Sequence, residues 1–143
     1  MIRPATVADV PRLVEMGAAF LASSPYAGRL ADNPAQMTAL ATRLITDDDG
    51  AVFVVDRDGD LVGMIGVLAA RHFLSDECVA YEVFWWVEPS SRGCGIRLMQ
   101  AAERWAKAAG AVRLAMIAPS DEVGQLYERL GYDLVERSYE RIL

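Results

Sequence analysis

One stretch constrains this chain more than any other. From Tyr81 to Gly110, YEVFWWVEPSSRGCGIRLMQAAERWAKAAG, an apolar run passes through a glycine turn into a helical pattern. Val83, Phe84, Trp85, Trp86 and Val87 have the composition of a strand buried on both faces. Glu88-Pro89-Ser90-Ser91 interrupts it, because Pro89 has no N–H to give a ladder and serines favour turns. After Arg92-Gly93-Cys94-Gly95, the residues Leu98, Ala101, Ala102, Trp105 and Ala109 recur at helical spacing as one apolar stripe, and Gly110 is a natural stop.

A buried strand that turns through glycines into a helix makes a site for an anion. The first N–H groups of a helix have no partner inside it and carry the positive end of its dipole. Glycines, lacking Cβ, let a phosphate approach those groups closely. Residues 92–107 carry Arg92, Arg97, Arg104 and Lys107 against Glu103, so they are locally positive in a chain of net charge −6. Arg97 opposes the helix dipole by roughly 0.3–1 kcal/mol, and a bound phosphate would offset that. The alternative is a plain strand–helix connection with Arg97 pointing into water. The third glycine of G-x-G-x-x-G is missing, which argues against a dinucleotide fingerprint, and no Gly-Lys-Ser or Gly-Lys-Thr of a P-loop exists anywhere.

At 143 residues the chain reads as a single domain, 1–143, large enough to bury a core. With 53% hydrophobic and 24% charged residues it reads as globular. A pI near 4.7 argues against nucleic acid and against an anionic membrane as partners. Cys78 and Cys94 match no metal spacing and no disulfide framework. Neither a signal peptide nor an apolar run of membrane-spanning length is present, so the expected location is the cytoplasm.

Along the chain, Ile2–Ala5 reads as a short edge strand. Thr6 and Asp9 resemble a helix cap ahead of an apolar stripe through Val10, Leu13, Val14, Gly17 and Leu21. Asn33-Pro34 starts a second helix. Ala51–Asp56 and Leu61–Ala70 read as strands joined by a turn at Asp58-Gly59. Val112–Ala118 is another apolar strand, and Ser120-Asp121-Glu122 caps a last helix whose stripe is Val123, Leu126, Tyr127 and Leu130. Tyr132–Leu143 is expected to close the chain as a strand. The resulting order, β, α, α, β, β, β, α, β, α, β, implies one mixed α/β sheet with helices on both faces.

Two motifs now carry a resemblance. Arg92-Gly93-Cys94-Gly95-Ile96 fits five positions of the signature Q/R-x-x-G-x-G/A, with Arg97 standing where Gly or Ala is usual. Leu126-Tyr127-Glu128-Arg129-Leu130-Gly131-Tyr132 looks like the ending LYxxxGF/Y. In this order, with the elements between them, they resemble the GNAT N-acetyltransferases, and small GNAT-like proteins of phages and their bacterial hosts in particular. The resemblance implies a mixed central sheet of about six to seven strands flanked by about four helices. It also implies acetyl-CoA as co-substrate, no metal, an amine of a small molecule or protein as acceptor, and a homodimer, common in the family.

The same resemblance assigns roles. The loop residues Arg92, Gly93, Cys94, Gly95, Ile96 and Arg97 would hold the CoA pyrophosphate, with Cys94 the variable position and no nucleophile. Backbone groups near Trp86 and Val87 would bind pantetheine and the acetyl oxygen where the strands splay. Tyr127 would serve as general acid beside the CoA sulfur. Ser120 stands where many members carry an Asn that orients CoA, and either substitutes for it or caps the helix. Glu82 is a charge beside a buried strand; it is either the general base, with a pKa raised by burial, or a strand-end acid in solvent or paired with arginine. His72, the only histidine, lies in a loop and reads as exposed. Ser24, Tyr26, Arg29 and Asn33 would wall the acceptor pocket. The expected function is therefore direct acetyl transfer from acetyl-CoA to a primary amine. The alternative is a non-catalytic CoA-binding module that acts as a sensor or interaction partner.

Overall fold

In the computed structural model, which describes residues 1–143, the turn at Asp58-Gly59 forms as its chemistry requires. Both residues take positive φ, 55° and 94°, the twist that suits a two-residue hairpin. They join β2 (Gly50–Arg57) to β3 (Asp60–Arg71) as antiparallel neighbours. β1 (Ile2–Pro4) adds to the outer edge of β2, and β4 (Cys78–Val87) pairs antiparallel with β3. β5 (Arg113–Ala115) then pairs parallel with β4, giving one five-stranded sheet in the order β1-β2-β3-β4-β5.

Side-chain alternation divides the core into two layers. Val52, Val54 and Met64 face α1 (Val10–Ser23) and α2 (Pro34–Thr46), where Leu13, Met16, Ala41 and Leu44 are buried against them. Val55, Ile65 and Val67 face the opposite side and pack on Leu98 and Ala102 of α3 (Gly95–Ala108). The α3 stripe expected from spacing is buried at Leu98, Ala101 and Ala102; Met99 and Ala106 join it, while Ala109 is exposed. Asn33 caps α2 by accepting from the Gln36 amide (3.1 Å), and Ser120 caps α4 (Asp121–Arg129) by accepting from that of Val123 (3.3 Å).

One irregularity in β4 decides the geometry of the site. Gly66 faces Phe84 and Val67 faces Glu82, so Val83 is an extra residue, a β-bulge. Beside it, Gly66 makes room for the Phe84 ring: a Cβ there would lie 2.4 Å from that ring.

The sheet departs from expectation at its far edge. It has five strands where about six to seven were expected, and Tyr132–Leu143 forms none. The strand expected over Val112–Ala118 is confined to Arg113–Ala115. The two departures share a cause. Beyond Ala115 the backbone leaves β4, and the polar groups of Ile117 are taken by side chains in place of a strand. Too little edge is left for a sixth strand, and Leu134, Val135, Tyr139 and Ile142 stay exposed. No helix is long and apolar enough to cross a membrane.

Candidate active site

The site begins where β4 runs out of a neighbour. β4 pairs with β5 only from Val79 to Tyr81, although β4 continues to Val87. The Glu88 amide donates to the Val62 carbonyl (2.9 Å), so by strand alternation the backbone polar groups of Trp86 point at β3. Those of Trp85 and Val87 point the other way, into the opening. The outward backbone groups are thus those of Trp85 and Val87, and those of Trp86 are taken by β3.

Chain direction then carries β4 into the glycine turn. A short 3-10 turn, Pro89–Ser91, leads to Gly93 at φ 109°, and α3 starts at Gly95. The amides of Arg92, Gly93, Gly95 and Ile96 donate to no group of the protein. Those of Cys94 and Arg97 are bonded, to the Ser91 carbonyl at 3.4 Å and the Cys94 carbonyl at 3.1 Å. A Cβ at Gly93 would meet nothing within 4 Å, so the space before these amides is open. Gly95 is different: a Cβ there would press on the Trp85 ring at 2.9 Å.

The side chains of Arg92 and Arg97 are exposed and paired with no carboxylate. Arg57, from the β2–β3 hairpin, joins them with its guanidinium 3.5 Å from the Cys94 sulfur. Nothing local in the sequence announces Arg57, because it reaches the turn only through the folding of the sheet. Cys94 itself is half-buried.

Inside the opening, two side chains meet on one peptide. The Ile117 amide donates to Glu82 Oε2 (3.0 Å), and the Tyr127 hydroxyl donates to the Ile117 carbonyl (3.1 Å). Glu82 is buried and faces no arginine, which settles against the solvent and ion-pair alternatives for it. Burial pushes its pKa up to about 7, against the opposing pull of the Ile117 amide. Burial likewise raises the Tyr127 phenol well above its ordinary value, and the nearby Glu82 and Tyr132 charges add to the shift. The phenol therefore keeps its proton at neutral pH.

Tyr127 lies in an aromatic row. Its ring stacks on Trp85 (centroids 5.9 Å apart) and tilts against Tyr132 (5.7 Å). The indole N–H groups of Trp85 and Trp86 are buried without a partner.

The remaining expected residues lie apart from this cluster. Ser120 exposes its side chain and caps α4, the second of the two roles considered for it. Ser24 bonds locally, donating to the Leu21 carbonyl (2.9 Å) and accepting from the Tyr26 amide (3.1 Å). Arg29 pairs with Glu140 (3.1 Å), and Asn33 caps α2. Tyr26 is half-buried. None of the four acceptor candidates shares a hydrogen bond with Glu82 or Tyr127. His72 stays in its loop, stacked on the exposed Phe73 at 5.1 Å. No group of three or more His, Cys, Asp or Glu residues is placed to hold a metal.

Comparison with known proteins bears on the whole arrangement. No curated protein sequence matches the chain. Solved structures share its fold over nearly their full lengths. A transcriptional regulator from Bacillus halodurans C-125 superposes with a TM-score of 0.81 at 20% identity, covering 100% of this chain and 99% of that one. A ribosomal-protein-alanine N-acetyltransferase from Brucella melitensis biovar Abortus 2308 gives 0.74 at 17% identity, with 100% and 99% covered. An aminoglycoside acetyltransferase from an uncultured soil metagenomic sample gives 0.73 at 17%, with 100% and 97% covered. At these identities the likeness is one of fold. The sequence supplies the rest: the profile of the acetyltransferase (GNAT) family matches residues 19–132, well over half of the chain, and this protein belongs to that family.

Proposed function

We propose that this chain is an N-acetyltransferase that moves the acetyl group of acetyl-CoA to a primary amine of a small molecule or protein, by direct attack. One observation carries the reading. The unpaired edge of β4 runs directly into a turn whose four free amides and unpaired arginines suit a pyrophosphate. The open space at Gly93 leaves room for that group.

Acetyl-CoA, when bound, supplies an acetyl thioester. The amides of Arg92, Gly93, Gly95 and Ile96, with the guanidinium groups of Arg92 and Arg97, would hold the phosphates. The outward polar groups of Trp85 and Val87 would line the path of the pantetheine arm. Glu82, with a pKa near 7, suits taking a proton from the acceptor's ammonium group, which leaves the neutral amine to attack the thioester carbonyl. Its Oε1 has no hydrogen-bond partner in the protein. Tyr127 holds its proton more tightly than a free phenol, so its role is to donate a hydrogen bond to the leaving thiolate. To do so its hydroxyl hydrogen turns away from the Ile117 carbonyl.

A second reading, a CoA-binding module without turnover, is favoured by one observation. Glu82 and Tyr127 both engage Ile117, and those bonds hold the strands apart whether or not chemistry follows. Two measurements separate the readings. Free CoA at 100 times its Kd is expected to stabilise the fold by about 2.7 kcal/mol, and the absence of any thermal shift would overturn both. Thiol release from acetyl-CoA over a panel of amines is expected under the first reading. Stabilisation without release on any amine leaves the second.

A further inference from the structure

Trp85, Tyr127 and Tyr132 form a row of rings that α3 touches at both ends. At one end, Gly95 in the first turn of α3 packs against Trp85, where a Cβ would lie 2.9 Å from the indole. At the other end, two turns along the same helix, Glu103 Oε1 accepts a 2.7 Å hydrogen bond from the Tyr132 hydroxyl. Tyr127 sits between them, 5.9 Å from Trp85 and 5.7 Å from Tyr132, centroid to centroid. Tyr132 is anchored to α3 although it follows α4 in sequence; a bond of 29 residues' separation joins the helix of the glycine turn to the chain just beyond α4.

We propose that Tyr132, anchored by Glu103, is a positioning residue that sets the Tyr127 ring relative to the glycine turn. The inference rests on the acetyltransferase reading for its effect on rate, though not for the anchoring itself. The physical reason is rigidity. The Tyr127 hydroxyl has one bond, to the Ile117 carbonyl, and that bond must be released for the hydroxyl to serve a ligand. Once it is released, the phenol keeps its stacking on Trp85 and its contact with Tyr132. Trp85 is fixed within β4, so Tyr132 is the wall that can move. The Tyr132 amide ties its backbone to α4 by donating to the Tyr127 carbonyl (3.0 Å), but the one hydrogen bond that fixes its side chain is the bond to Glu103. A short bond to a carboxylate is stronger than one between neutral groups, and Glu103 makes it from a helix that also carries the anion-binding turn. The spacing between phosphate and phenol is thereby set by one rigid element. Misplacement of a reacting group by about 1 Å is enough to lose on the order of 100-fold in rate.

The test uses the full chain and a double-mutant cycle. Tyr132→Phe keeps the ring and removes the anchor, and it is expected to lower kcat about tenfold or more while the Kd for CoA stays within twofold. Glu103→Ala should match it, and Glu103→Gln, whose carbonyl still accepts, should retain most of the activity. In a Tyr127→Phe background, Tyr132→Phe should have no further effect on kcat; a full, additive loss there would overturn the proposal. Tyrosine ring-flip rates by NMR with 13C-labelled tyrosine read the anchoring without turnover. Faster flipping of Tyr127 in Tyr132→Phe supports the positioning role, and an unchanged rate overturns it. A wild-type protein that releases no thiol with any amine sinks the acetyltransferase reading instead, and the ring-flip comparison still decides the anchoring.

Discussion

The two edges of β4 have opposite lives. Towards β3 the strand is paired from Cys78 to Val87, with one bulge at Val83. Towards β5 it is paired for three residues and then left open. The closed edge carries the fold: both core layers are built on β2, β3 and β4. The open edge holds the buried acid Glu82, the phenol of Tyr127 and the outward polar groups of Trp85 and Val87. A strand laddered on both sides has no spare backbone groups, and here one side is kept free by replacing a neighbouring strand with two side chains on Ile117. Under the acetyltransferase reading, stability and chemistry are separated across a single strand, and substitutions on the two edges should behave differently.

The largest expected effect lies on the open edge. Glu82→Gln keeps an acceptor for the Ile117 amide and removes the proposed base, so kcat/KM should fall by roughly 10²–10⁴ with the fold intact. Wild-type kcat/KM should rise with pH through about 7, as Glu82 loses its proton, and the variant should lack that limb. Loss of the fold together with activity would assign Glu82 a structural role alone. Next comes Tyr127→Phe, which removes one hydrogen-bond donor and is expected to lower kcat about 10²-fold with CoA affinity nearly unchanged. Equal loss of both would make it a packing residue.

The closed edge answers in stability. Gly66→Ala forces a methyl against the Phe84 ring, and the melting curve should show a destabilisation of about 1–3 kcal/mol. Activity per folded molecule should change far less than in the open-edge variants; the reverse pattern would break the division between edges.

Glu82 also links the edges through pH. Its folded-state pKa, about 7, is above its ordinary 4.5, so between these values the folded chain binds the proton more tightly than the unfolded one. Its contribution is full below 4.5 and is lost as pH rises through 7. Denaturant titrations from pH 4.5 to 8 should show that decline in the wild type and a flatter profile in Glu82→Gln. The smallest effect belongs to Arg97→Ala. An exposed charge contributes about 1 kcal/mol or less, so CoA affinity should weaken up to about fivefold at low salt and less at high salt. An unchanged Kd would place Arg97 in solvent.

Much of this was legible in local chemistry. Asp58-Gly59 and its flanking alternation specified the hairpin, and Asn33-Pro34 and Ser120 marked two helix starts at the residues where they occur. Gly93 and Gly95 announced a turn into α3, and the structure uses the first for its positive φ and the second for its close approach to Trp85. Composition also marked Glu82 as a charge beside a buried strand. Other features had no such signal. Apolar character in Val112–Ala118 reads as a strand, but only the tertiary contacts of Ile117 with Glu82 and Tyr127 decide where pairing stops. The same holds for Tyr132–Leu143, whose pattern suits a strand that finds no edge. The parity that turns Trp85 outward and Trp86 inward depends on the register with β3.

What the sequence determined by itself was the four helices, the first four strands, their order and the glycine turn into α3, because caps, glycines and hydrophobic period act over a few residues. Tertiary structure alone decided that β4 keeps one edge open, that Glu82 is held near neutral pKa, and that Arg57 and Glu103 reach the site from distant positions. Those outcomes depend on burial and on contacts between residues far apart in the chain, and no local pattern encodes either.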